Sequence, residues 1–101
     1  MSARTLKFKL GELDLTLVPA LTAADVKRMA SFNDPEYRRT HADETYEMLL
    51  ELLVKCAREH RPKLTNEEIE DQLDADNYAE RLSAVTIVLH QLAGVYPQEE
   101  N

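Results

Sequence analysis

The sequence predicts an α+β fold that is mainly α: an N-terminal two-stranded β-hairpin followed by a small bundle of about four helices. Three observations carry this. Residues 4–18, RTLKFKLGELDLTLV, alternate apolar and polar with the period of two that marks a strand. From Ala42 to His60 apolar residues recur instead at helical spacing. Pro62, the Thr65–Glu68 pair and Gly94 then punctuate the C-terminal half as helix stops and starts.

The hairpin follows from its own turn. Gly11-Glu12 is a two-residue Gly-X loop, the chemistry of a type II′ turn, whose first central position requires positive φ. That turn places Leu10 opposite Leu13, Phe8 opposite Leu15 and Leu6 opposite Leu17. All six fall on one face, and Lys9 meets Asp14 and Lys7 meets Thr16 on the other. A lone hairpin is marginal in water, so its apolar face must be covered by helices.

The first helix comes from LTAADVKRMASF, with Thr22 as N-cap, Asp25 three residues on, and Val26, Met29 and Ala30 on one side. The stretch 33–44, NDPEYRRTHADE, is polar and contains Pro35; it reads as a loop with room for a short helical turn. The longest helix spans Ala42 to His60. Tyr46, Leu49, Leu50, Leu53, Cys56, Ala57 and His60 form its stripe, which Met48 and Leu52 widen on one side and Val54 on the other. The resulting arc exceeds the ~100° of an ordinary surface helix, so this helix is central to the fold or has a second face for a partner. After Pro62, Thr65 and Glu68 form a capping box for a short acidic helix with little beyond Ile69 and Leu73 as apolar content. Asp74 or Asp76 caps a last helix at about 76–93, in which Tyr78, Leu82, Val85, Leu89 and Leu92 recur at four and three residue steps and Gly94 is the terminator. One domain, 1–101, results: a hairpin at 1–19, a helical bundle at 22–94 and a polar tail at 95–101.

Composition narrows the function classes. With 19 acidic against 12 basic residues the formal net charge is −7, and the basic pairs are short and interrupted by acids. Nucleic-acid affinity comes mostly from neutralised phosphates, so neither nucleic acid nor an anionic membrane is an expected partner. A single cysteine, Cys56, rules out an internal disulfide framework and suits a reducing compartment. No apolar run approaches the roughly 20 residues of a membrane span, and the N-terminus lacks the continuous core of a signal peptide. A soluble cytoplasmic protein is expected.

Reactive constellations are thin. His41, His60 and His90 form no HxxxH spacing, and with Cys56 they are the only N or S donors available to zinc. Cys56 and His60 stand four residues apart on one helix face, where a thiol–imidazole pair is geometrically conceivable, yet Cys56 lies in the apolar stripe and reads as a small core hydrophobe. The carboxylates of NEEIED and DADN lack the central glycine of a calcium loop. A helix-turn-helix needs base-reading side chains, whereas the second helix offers Glu80 and Arg81 and then turns apolar. The chain has only two glycines, both explained by turns, so there is no phosphate-cradling loop. The expectation is a protein that is not an enzyme and uses no cofactor, metal or small-molecule ligand. What remains is apolarity in excess of one stripe: Met48, Leu52, Val54 and Ile87. Either neighbouring elements bury these four, or they line an exposed groove for a partner helix.

The order of segments also resembles a known family. The hairpin segment LKFKLGELDLTLVPALTAADV, the apolar helix MLLELLVKCAREHRP, the link LTNEEIEDQLD and a closing apolar helix resemble the tail assembly chaperones of long-tailed bacteriophages. In those proteins a P-x-LT-x-EE-[IV] link joins the helices; here it is Pro62, Leu64, Thr65, Glu67, Glu68 and Ile69. The likeness covers nearly the whole chain but is one of pattern, since its motif is mostly a capping box after a proline. It implies a non-enzymatic role: binding the tape measure protein, assisting recruitment of tail tube subunits in the host cytoplasm, and absence from the finished virion. Self-association is open. The alternative from the residues alone is a small acidic regulator or inhibitor that binds a basic partner.

Overall fold

The computed structural model describes residues 5–32 and 34–94. Residue 4, where the alternating segment begins, and the polar tail at 95–101 lie outside the described residues. The fold is α+β and mainly α, with the hairpin first and five helices after it among the described residues. Strands β1 (Leu6–Leu10) and β2 (Leu13–Leu17) pair antiparallel in the register that the turn dictates, from Leu10↔Leu13 to Leu6↔Leu17. Gly11 has φ +62°, and no other residue of the turn has positive φ, as a type II′ loop requires. Leu10, Leu13, Leu15 and Leu17 are buried, whereas Lys9 and Asp14 face solvent as an exposed ion pair at 3.6 Å.

Helix α1 (Ala23–Ser31) starts at a complete capping box between Thr22 and Asp25. Met29 is buried and Val26 half-buried as the spacing predicts, but Ala30 is exposed; the second buried position is Asp25, whose partner is described below. Helix α2 (Pro35–Thr40) occupies the place of the short helical turn for which the reading of 33–44 left room. The signal was present: Asp34 accepts from the Glu36 N–H at 3.1 Å, and Pro35 occupies the first turn, where its missing N–H has no cost. The ring of Phe32 meets that of Tyr37 edge-on, and Tyr37 stacks on His41 at 3.9 Å, which closes the corner into the next helix.

Helix α3 (Ala42–Ala57) is the centre of the molecule and touches β2, α2, α4 (Asn66–Glu70) and α5 (Tyr78–Ala93). It stops three residues short of the predicted His60, which is exposed rather than on the buried stripe. The reason lies in its last turn: the Cys56 carbonyl, one of the four a helix end leaves unmatched, accepts from the Val18 N–H at 2.9 Å. The strand exit thereby ties off the helix. In α4 the Thr65–Glu68 capping box forms as expected, and Leu64 and Ile69, the residues of a hydrophobic staple, are both buried. Replacing Thr65 by alanine is expected to cost about 1 kcal/mol, or roughly 4–8 °C in melting temperature, readable by thermal denaturation. The last helix begins two residues later than the sequence suggests. Asp74 does not cap it directly; its carboxylate accepts from the Asp76 and Asn77 N–H groups and shapes the preceding turn. Gly94 ends α5 in the left-handed conformation at φ +74°. None of the helices among the described residues is long and apolar enough to cross a membrane.

Candidate functional site

The four residues singled out as a partner surface separate sharply. Met48, Leu52 and Val54 are 2%, 1% and 4% exposed, and they belong to the core; Ile87 is 42% exposed. In this conformation these three are packed into the core, although Met48 also reaches the lining of the cleft between α1, α2 and α3 described below. The cause is geometric: α3 is covered by the hairpin and by three other helices, so its wide apolar arc is consumed inside the fold. Among the described residues only Ile87 and Tyr78, on the same helix, remain as large exposed apolar groups.

Around Ile87 the surface is concave. An open groove of about 570 Å³ runs between α3 and α5, with Leu49 and Leu82 at its floor. Along α5 its wall is Ala79, Ser83 and Ile87, one residue per turn, with Thr86 beside them. The facing side is Thr45 of α3 and Arg38 of α2. Leu49 is buried and Leu82 half-buried, so the floor continues the core outward. At the Ala79 end Tyr78 stacks on Tyr46 at 5.9 Å between ring centres. The Tyr46 hydroxyl donates to Glu70 at 3.1 Å, and its pKa is pushed up to about 12, first by burial and then by that carboxylate. Tyr46 thus stays neutral, and its stack and hydrogen bond hold α3, α4 and α5 together at that end. The sequence signal for this groove was the small and hydroxylated series Ala79, Ser83 and Thr86 beside Ile87, which a search for large apolar residues passes over.

A second cleft, of about 310 Å³, lies between α1, α2 and α3 and has a different character. Glu44, Glu47 and Glu51 line it in one row of α3, with Arg28 opposite and bridged to Glu51 at 3.6 Å. Below it, Lys55 of α3 donates a close charge-assisted hydrogen bond to Asp25, which also accepts from the Thr22 N–H at 3.0 Å. The Lys55 hydrogen bond, with that of Thr22, holds the Asp25 carboxyl below its ordinary value of 3.8. Folding therefore favours the ionised form: this stability is present above the unfolded pKa and disappears as pH falls through the lower folded one. Because the Lys55 side chain is 41% exposed, solvent screens the pair. Asp25→Asn is expected to cost about 1 kcal/mol at pH 7, and that cost shrinks as pH falls below the ordinary carboxylate range, which urea midpoints measured against pH would show.

The thiol–imidazole pair does not assemble. Cys56 is fully buried, burial pushes its thiol pKa up, and His60 lies exposed beyond the helix end. A buried protonated thiol is a packing group rather than a nucleophile. His41 stacks in the α2–α3 corner, whereas His90 is buried in α5 with Nδ1 2.8 Å from the Thr86 carbonyl. Among the described residues no three His, Cys, Asp or Glu side chains come together as a metal site. No family model matches the chain, and neither a curated protein nor a solved structure is matched by it.

Proposed function

We propose that the protein is a non-enzymatic tail assembly chaperone of a long-tailed bacteriophage, which binds the tape measure protein and assists recruitment of tail tube subunits. It would act in the cytoplasm of the infected host and leave before the virion is complete. The observation that carries the reading is the α3–α5 groove: an apolar floor at Leu49 and Leu82, opened to solvent beside an exposed Ile87, on a molecule of net charge −7. A tape measure helix has apolar faces that would aggregate before the tube encloses them. Seating one such face in a groove shields it reversibly, while the acidic exterior keeps coated complexes apart through self-repulsion. The family pattern in the Pro62–Ile69 link adds support from the sequence.

Fragments of the tape measure protein from the same genome, co-expressed with the chain, provide the test. Ile87→Asp is expected to leave the fold intact, since an exposed substitution costs within about 0.5 kcal/mol, and to weaken capture at least tenfold. Wild-type capture by a folded Ile87→Asp variant would sink the groove as the docking surface. A second reading rests on the row Glu44, Glu47 and Glu51, which suits an acidic regulator of a basic partner. Salt separates the two. Apolar docking persists at high ionic strength, where a complex made by exposed glutamates dissociates.

A further inference from the structure

We propose that the occupant of the α3–α5 groove is an amphipathic helix whose apolar stripe ends in a carboxylate, and that this carboxylate pairs with Arg38. The inference rests on the docking reading above and specifies what docks. Both long sides of the groove are helices, whose mid-segment backbone groups are already hydrogen-bonded within themselves. An extended peptide would therefore find no ladder to join, and its own backbone groups would be buried without partners. A helix brings its backbone satisfied. Ala79, Ser83 and Ile87 mark out about 12 Å of α5, which is two helical turns. The short side chains at Ala79 and Ser83 let a second helix approach closely, and Ile87 supplies apolar contact at the far end.

The charge at the site points to acid. The chain carries 19 acidic residues, yet the groove lining contains none; its single charged group is Arg38. The other two arginines on α1 and α2 are occupied: Arg39 pairs with Glu36 at 2.9 Å and Arg28 with Glu51 at 3.6 Å. The Arg38 side chain has neither an ion pair nor a hydrogen bond among the described residues. It also borders the crevice that holds Thr86 and His90, which places it at the Ile87 end of the groove rather than the Ala79 end. A planar guanidinium with all donors available, set at the end of an apolar channel, is complementary to a carboxylate that follows an apolar stripe. The large apolar groups the chain exposes among the described residues, Tyr78 and Ile87, both sit on the α5 that forms the groove wall, so a second copy would have to meet the groove through that same helix.

Two labelled 18-residue alanine-rich helical peptides test this against the full chain by fluorescence anisotropy. Both carry leucines at i, i+4 and i+8; one has glutamate and the other glutamine at i+11. The glutamate peptide is expected to bind three- to tenfold more tightly at low salt. Arg38→Glu should reverse that preference, and should bind a lysine-ended peptide better than the wild type does. Circular dichroism of Arg38→Glu checks that the fold is unchanged. Equal binding of both peptides, abolished by Ile87→Asp and indifferent to Arg38→Glu, would overturn the acidic anchor and leave the groove as a docking site. No binding of either peptide would remove both. Self-association in sedimentation, lost in Ile87→Asp, would assign the groove to a second copy and overturn the proposal.

Discussion

Replacing Leu53 by alanine is expected to destabilise the domain by about 3 kcal/mol. Leu53 is fully buried in the core cluster, on the helix that touches β2, α2, α4 and α5. Truncation removes the transfer free energy of the lost atoms, and a cavity forms because neighbours on every side prevent collapse. A domain of this size has roughly 5–15 kcal/mol in total, so this one change would consume a large share of it. The urea midpoint should fall with an unchanged slope, as for a loss of stability without a change in the surface exposed on unfolding. Met48→Leu, which keeps volume at a buried position of the same helix, should cost under about 1.5 kcal/mol. A Leu53→Ala variant within 1 kcal/mol of wild type would mean that the core around α3 is less closely packed than its burial implies.

How far the sequence could be read follows the range of each interaction. Hairpin register, the two capping boxes and the glycine terminator depend on residues within a few positions of one another, and all are found where local chemistry puts them. Helix α2 was equally local, and its Asp34-Pro35 start is a recognisable cap that the polarity of the segment concealed. The partner surface was not local. Whether Met48, Leu52 and Val54 face solvent depends on which elements close over α3, and helical spacing reports only that a side chain is apolar. The same holds for Asp25, legible as a cap residue but not as the partner of Lys55, 30 positions away. The groove was hidden for a complementary reason. It is defined by small residues of α5 and an arginine of α2, which carry no hydrophobic signal until the fold brings them side by side.

Gly11 joins the local and the long-range in one residue, and Gly11→Ala is expected to cost about 2–3 kcal/mol. Part of this is backbone: at φ +62° an L-residue is strained by roughly 1–2 kcal/mol. The remainder comes from what lies over the turn. A methyl group there would run into the Gln72 side-chain carbonyl and come within 2.7 Å of the Arg81 guanidinium. Gln72 accepts from the Glu12 N–H at 2.9 Å, and Arg81 donates to the Gln72 backbone carbonyl, so the hairpin tip is docked on the segment between α4 and α5. Displacing Gln72 sacrifices that exposed hydrogen bond, worth about 1 kcal/mol. A double-mutant cycle separates the two contributions. Gln72→Ala removes the nearer obstacle but leaves the strain and the Arg81 guanidinium, so the pair of changes should cost at least 0.5 kcal/mol less than their sum. Additive costs would mean that the Gln72 side chain contributes nothing to the effect. A Gly11→Ala variant as stable as wild type would instead mean that the tip does not hold a left-handed residue against the α4–α5 segment, and that the hairpin is held only by its leucine face.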